Sequence, residues 1–320
     1  MKWLTGLLVV VMFFSSFAVA EINIVNPGTR DSYYGNFCMT YDPQTQTYWV
    51  MIRVDTYLGS LRLPFLTKYR VYKISHDMNH ISFVFETPHS IYSMAATTDG
   101  IVYAREIWFN YTSAELYRYD IQSNKNERCV PSNVTSLCGT MDGSPIYFRQ
   151  DVGLCIYNSV SNSETVLINE HVITWDENCC LYQCENGSTF AYLFQSGKTL
   201  PIVLPDHISR ISRGYLLDID NMLLYGPDHD IVSIPFIDGA DSVSMSDGFV
   251  CAVHSSSEVN TLDYTSIIQP DKIVSVTLPP LLDRNLNIHN GYAFFYTKHA
   301  SEISVVNLST NTVETIILPR

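Results

Sequence analysis

The sequence predicts an all-β chain made of a four-stranded unit repeated along its length, and three observations predict it. Between Ser90 and Val130 four short segments, Ser90–Ala95, Ile101–Trp108, Glu115–Asp120 and Glu127–Val130, are separated by turn formers such as Asp99-Gly100 and Gln122–Asn126. The closing segments of successive units fall near Val84, Cys129, Val166, Val203, Pro235, Val276 and Ile316, so the units recur every forty residues or so. No stretch longer than about ten residues carries apolar side chains at spacings of three and four, so helices are expected to be nearly absent.

The first unit reads as Phe37–Tyr41, Tyr48–Val54, Lys68–Ile74 and Ile81–Glu86, with Asp42–Thr45 as a turn and a long connection over Thr56–Leu66. The second is the stretch from Ser90 to Val130. The third takes Ser136–Gly139, Ile146–Arg149, Leu154–Asn158 and Thr165–Ile168. The fourth opens on Val172–Trp175 and continues through Cys180–Cys184, Thr189–Phe194 and Thr199–Leu204. The fifth opens on Ile208–Ser212 and continues through Gly214–Asp218, Met222–Tyr225 and Ile231–Phe236. The sixth opens on Val243–Met245 and continues through Gly248–Val253, Val259–Tyr264 and Lys272–Leu278. The seventh opens on Leu286–His289 and continues through Gly291–Thr297, Glu302–Asn307 and Thr312–Leu318. Three units stop on Leu-Pro (204–205, 278–279, 318–319), and proline is tolerated where an edge strand ends.

Met1-Lys2-Trp3 followed by an apolar run to Ala18-Val19-Ala20 has the layout of a secretory signal peptide over residues 1–20, with cleavage expected before Glu21. An uncleaved anchor is the other reading, disfavoured by the shortness of the run. No membrane span is expected after cleavage, and residues 21–320 are expected to form one domain in a secreted, extracellular protein. Charged residues make up 16% of the chain, below the usual quarter, while Tyr (21) and Phe (15) abound, which suits strands and not helices. A net charge of −13 with no basic run excludes nucleic acid and anionic membranes as partners.

Eight cysteines (38, 129, 138, 155, 179, 180, 184, 251) in an oxidising compartment imply disulfides, with 105 pairings for eight. The pair expected is Cys129–Cys138, across the turn Pro131-Ser132-Asn133. Cys179, Cys180 and Cys184 lack the paired spacing of a zinc site and read as disulfide partners or a buried thiol. Sequons at Asn110, Asn133, Asn186 and Asn307 fall at expected turns or strand edges and are candidate glycosylation sites.

In layout the chain resembles the β-propeller superfamily. The phrase Ile303–Asn307 followed by Thr312–Ile316 is similar to the surface-layer YVTN type of blade. The Trp-Asp ends of WD40 repeats, the glycine pairs of kelch repeats and repeated Tyr-Trp-Thr-Asp are missing; Tyr48-Trp49-Val50 is the nearest approach. The resemblance implies seven four-stranded blades, six being the alternative count, and an N-terminal strand (Ile22–Val25) that joins the last blade. A pair of β-sandwiches is the rival architecture.

No motif selects a reaction. Ser244–Phe249 and Thr98-Asp99-Gly100 do not fit a sialidase Asp-box and read as Asp-Gly hairpin turns. Carboxylates that could point into a propeller funnel are Asp31, Asp42, Glu106, Asp176, Glu177 and Asp218, but their spacing selects no pair. The clusters Asp218–Asn221 and Asp228–Asp230 fail the EF-hand pattern and read as solvated turns. Neither Gly-x-Ser-x-Gly nor HExxH occurs, and of the nine histidines only His76 and His80 are four apart, in a turn. Among expected inner strands only Arg210 and His289 stand out, neither with an evident carboxylate partner. No cofactor and no metal is expected. The reading is a non-enzymatic binding scaffold for an extracellular protein or carbohydrate, through propeller face loops. The alternative is a hydrolase or lyase acting on a glycan or peptide.

Overall fold

The computed structural model describes residues 30–319 apart from 58–65, 98, 108–109, 151, 159–160, 162, 177, 206, 227–229, 257–258, 280 and 298–301. The expected signal peptide and the expected Ile22–Val25 strand lie outside the described residues.

Twenty-seven strands form six hydrogen-bonded antiparallel sheets, each from contiguous sequence. The first is Arg30–Asp42 (β1), Thr47–Tyr57 (β2), Leu66–Ser75 (β3) and Ile81–Thr87 (β4). A seven-stranded sheet follows: Ile91–Thr97 (β5), Gly100–Ile107 (β6), Asn110–Asp120 (β7), Lys125–Met141 (β8), Ser144–Arg149 (β9), Gly153–Asn158 (β10) and Ser163–Ile168 (β11). Next come His171–Trp175 (β12), Cys179–Gln183 (β13), Thr189–Leu193 (β14) and Lys198–Ile202 (β15). The shortest sheet is Arg210–Ser212 (β16), Tyr215–Asp218 (β17), Leu223–Tyr225 (β18) and Ile231–Ser233 (β19). The last two are Ser242–Ser246 (β20), Phe249–Ser255 (β21), Asn260–Ser266 (β22), Gln269–Leu278 (β23), and Leu281–His289 (β24), Tyr292–Thr297 (β25), Glu302–Asn307 (β26), Thr312–Ile317 (β27). Among the described residues the only helical element is a 3-10 turn at Pro235–Ile237, and no helix is long and apolar enough to cross a membrane.

Strand positions follow the sequence expectation closely, with two differences. Pro131-Ser132-Asn133 does not break the chain into two strands. β8 runs through, pairing with β7 up to Val134 and with β9 from Val134 onward, and a bulge between the Leu116–Val130 and Ala114–Val134 pairs absorbs the extra residues. The second difference is at Pro235, whose nitrogen cannot donate to a ladder, so β19 stops at Ser233 and the 3-10 turn takes over.

Side chains alternate across each strand, so one strand serves two interfaces. On β2, Tyr48, Val50, Ile52 and Val54 pack against Phe294, Ile303 and Val305 of the last sheet, while Trp49 and Met51 pack against Ile91, Ile101 and Tyr103 of the second. The same division puts Cys179 and Leu181 of β13 against Ile211 and Leu216, and Cys180 against Cys138 and Ile146. The core is therefore a series of apolar layers between sheets. The first and last sheets meet without a shared strand ladder, through packing and side-chain hydrogen bonds such as Tyr72 Oη donating to the Pro319 carbonyl at 3.2 Å.

The opening strands line the axis. β1 lies against β5 and β24, β20 against β16 and β24, and β12 against β16. β1, β5, β12 and β24 each carry a register shift, which bends the strand where the sheets converge.

The expected disulfide between Cys129 and Cys138 is not formed. Both cysteines are free thiols on the continuous β8 and belong to different layers, Cys129 beside Cys155 and Tyr157, Cys138 beside Cys180. A disulfide needs Cα atoms roughly 4.4–6.8 Å apart, which an extended strand nine residues long does not allow. Cys179 and Cys180 point to opposite faces of β13, and Cys184 lies beyond its end; all are thiols.

Candidate functional site

Because each sheet begins on an axial strand, the turn from its first to its second strand lands on one face of the ring. Three of these turns and the β8–β9 turn share a construction: a residue with φ near +50° followed by a glycine with φ of 74–86°. They are Asp142-Gly143, Arg213-Gly214, Asp247-Gly248 and Asn290-Gly291. This is the two-residue hairpin geometry that matches strand twist and needs left-handed backbone at both positions. Arg213, Asp247 and Asn290, the first residues of three of these turns, line one cavity.

A cavity of about 250 Å3 opens on this face. Thr40 and Tyr41 approach from β1, Pro43 from the β1–β2 turn, Ala95 from β5, and Gly139 and Thr140 from β8. Asn178, Gln195, Arg213, Asp247 and Asn290 come from the later sheets. The walls are mainly amides and hydroxyls with one acid and one base, and those two are paired. Arg213 Nη2 donates to Asp247 Oδ1 at 2.5 Å, and the Gly291 N–H donates to Asp247 Oδ2 at 2.7 Å. One carboxylate thus ties the turns of three successive sheets. The Arg213 side chain is 54% exposed and lies over Gly248, where a Cβ would stand 3.4 Å from Nη1.

Asn178 is held by its loop. Asp176 Oδ1 accepts the N–H groups of Asn178 (2.8 Å) and Cys179 (2.7 Å), and the Asn178 carbonyl accepts the Phe194 N–H at 2.9 Å. The Asn178 Nδ2 is buried without a hydrogen-bond partner among the described residues. On the opposite wall the Tyr41 ring packs on Tyr48, centroids 4.8 Å apart. Burial raises the Tyr41 hydroxyl pKa above its usual value, with Asp42, Asp247 and Tyr292 adding to the rise.

Among the described residues, the carboxylates singled out in the sequence do not converge on this cavity. Asp42 Oδ1 accepts the Gln44 N–H at 2.9 Å, closing the β1–β2 turn, and Asp176 is engaged as above. Asp218 sits in the β17–β18 turn, holding the Asn221 N–H (3.0 Å) and Nδ2 (2.8 Å). Glu177, Asp228 and His229 lie outside the described residues, as do the side chains of Asp31 and Glu106. Arg210 is exposed at the start of β16 and donates to the Ser209 carbonyl at 3.0 Å; His289 is buried at the end of β24, next to the Asn290 turn. Among the described residues no group of three His, Cys, Asp or Glu side chains is placed to hold a metal ion. A second depression, about 210 Å3 between β15 and the fourth sheet β16–β19, is apolar (Val203, Leu216, Ile231) and lacks convergent polar groups.

Asn178, Gln195, Arg213 and Asn290 escaped the sequence reading, and Asp247 was read only as a turn residue. The signal for three of them is a glycine after the first strand of a unit: 100, 143, 214, 248 and 291.

The fold is that of the β-propeller superfamily. The chain is similar to the β-propeller domain of the Trilobed protease from Pyrococcus furiosus, described as having an open velcro topology. That match has TM-score 0.55 at 12% identity, covering 89% of this chain and 97% of that one. It is also similar to the Pyrococcus horikoshii acylaminoacyl peptidase, with TM-score 0.53, 10% identity and 93% of this chain, and spans about half (53%) of that protein. A third similar structure is the oligogalacturonate lyase of Vibrio parahaemolyticus, with TM-score 0.50, 10% identity and coverage of 91% and 85%. No family model matches the chain, and no curated protein matches it.

Proposed function

We propose that this protein is a secreted glycoprotein, a seven-bladed propeller over residues 21–320, that binds an extracellular ligand non-enzymatically at the axial cavity. The blade count rests on treating the seven-stranded sheet as two blades sharing β8, and seven apolar layers between neighbouring blades support it. Secretion rests on the signal-like residues 1–20, and glycosylation on the sequons. Asn133 and Asn186 are exposed, Asn307 is half-buried, and all three sit in turns or at a bulge.

The observation that carries the binding reading is the cavity wall: amides and hydroxyls from successive blades, with the one carboxylate among its described residues committed to Arg213 and the Gly291 N–H. Glycosidase chemistry needs two carboxyl groups roughly 5–10 Å apart with one free to carry a proton. Rigid turns bearing diverse polar tips are what a recognition surface requires. The peptidase and lyase among similar structures make turnover of a peptide or glycan the alternative.

The test uses the full chain secreted from a eukaryotic host, labelled and titrated onto cells and extracellular matrix. Saturable binding is expected, and Gln195→Trp, at an exposed position on the cavity mouth, should remove it. Release of product from polysaccharide or peptide substrates, lost in the same variant, would overturn the non-enzymatic reading.

A further inference from the structure

Resting on the binding reading above, we propose that the axial cavity is a saccharide subsite that takes one sugar ring of a larger glycan. Three observations converge on it. First, Asn178 Nδ2 is a buried donor without a partner among the described residues, in a loop fixed by Asp176. Buried polar groups are nearly always paired, so an orphaned amide on a cavity wall is a place for a ligand acceptor. Second, Arg213 uses one nitrogen on Asp247, and its side chain stays half exposed. Its remaining N–H groups are donors held in place by the ion pair and by packing over Gly248.

Third, the rest of the wall suits hydroxyls. Thr40 and Thr140 both donate and accept, and Gln195 and Asn290 offer a carbonyl and an amine at fixed separation. A sugar ring, with a hydroxyl on almost every carbon, meets such a wall from many sides, and its C–H face can lie on the Tyr41 ring. An apolar peptide side chain would call for an apolar pocket, and only Pro43 and Ala95 are apolar here besides Tyr41. Phosphate groups are disfavoured because the one cation is already neutralised and the chain carries −13. At about 250 Å3 the space lies below the roughly 300–1,000 Å3 of pockets that enclose drug-sized ligands, so one ring enters and the chain leaves through the mouth.

The experiment applies the full secreted chain to an array of neutral and uronic-acid oligosaccharides beside a peptide array, and titrates any hit as the free saccharide by calorimetry. A saccharide ligand is expected. Asn178→Ala should weaken it roughly 5- to 30-fold, the loss of one to two hydrogen bonds, and Gln195→Trp should abolish it. Circular dichroism and thermal melts establish that both variants are folded. No saccharide on the array, or affinity unchanged in both folded variants, overturns the proposal. So does a peptide ligand that Gln195→Trp blocks. Cell binding that Gln195→Trp removes but enzymatic deglycosylation of the cells does not would sink the saccharide while leaving the binding function standing. Cleavage of a bound saccharide would do the reverse.

Discussion

Asp247 is the junction on which the axial face depends, and replacing it measures how far one side chain ties three sheets. Its ion pair with Arg213 spans 2.5 Å, but the Arg213 side chain is 54% exposed, so the pair contributes at most about 1 kcal/mol. The Gly291 N–H bond at 2.7 Å has a charged acceptor and a half-buried donor and contributes about 1.5 kcal/mol, the low end for such bonds. Asp247 also sits at φ 51°, where alanine loses roughly another 1 kcal/mol because Asp and Asn tolerate that region better. Asp247→Ala should therefore destabilise by about 3 kcal/mol. Asp247→Asn keeps the backbone tolerance and an oxygen for Gly291 and should lose about 1 kcal/mol. In thermal melts, at roughly 2–4 °C per kcal/mol for a domain of this size, that is a fall of about 6–12 °C against 2–4 °C. Urea denaturation repeated in 1 M salt should leave most of the alanine effect and little of the asparagine effect, since the exposed ion pair is screened. Equal losses for the two variants, or an alanine loss below about 1 kcal/mol, would refute the assignment.

Three further outcomes are expected. A Cβ on Gly153 (φ +107°) would stand 2.2 Å from the Ile168 carbonyl oxygen, so Gly153→Ala should lose more than about 4 kcal/mol or fail to fold; Gly187→Ala, with nothing within 4 Å, should lose about 1 kcal/mol from its φ of +84° alone. Burial tends to raise the Asp218 pKa, but the Asn221 hydrogen bonds outweigh it and the pKa is lowered overall. The folded value then lies below the unfolded one, so the carboxylate stabilises above about pH 4 and the gain is lost as pH falls through the folded pKa. In urea titrations at pH 7, 5 and 3 the deficit of Asp218→Asn should be largest at pH 7 and smallest at pH 3; a constant deficit would contradict this. Burial pushes the Cys155 thiol up to about 11 and Cys180 up to about 12, so neither should react with N-ethylmaleimide in the native protein at pH 8. After unfolding without reductant all eight cysteines should titrate as thiols, and six or fewer would show a disulfide that this structure lacks.

Strand positions were legible because the two faces of each strand are both buried, giving unbroken apolar runs such as Tyr48-Trp49-Val50-Met51-Ile52 between clear turn formers. The junction at Pro131–Asn133 was not, since Asn133 enters left-handed backbone (φ 63°) inside a bulge instead of ending the strand. The cavity was legible only as the recurring glycine after each first strand. Its side chains come singly from distant units, Arg213 meeting Asp247 across 34 positions, and no local spacing records that meeting. The carboxylates that drew attention in the sequence are turn locks: Asp42, Asp176 and Asp218 each accept N–H groups from residues two or three positions on.

The division between layers and tips explains why fold and ligand separate so cleanly in this chain. Phe294 faces the first sheet while Ala293 and Phe295 face the fifth (β20–β23), so each strand is committed on both sides to its neighbours. That commitment closes the ring by packing: β1–β4 and β24–β27 share no backbone ladder, yet Tyr48, Tyr72, Ile316 and Leu318 form one apolar layer between them. Most strand side chains are thus used up by the architecture, while strand-end residues such as Thr40, Tyr41 and Thr140 reach the cavity. The turn tips are different. Their backbone is fixed by left-handed pairs such as Arg213-Gly214 and Asn290-Gly291, but the first side chain of each pair points away from every layer. Under the proposed binding function, a change of ligand needs substitutions at Asn178, Gln195, Arg213, Asp247 and Asn290 and at the strand ends Thr40, Tyr41 and Thr140, and leaves the apolar layers untouched.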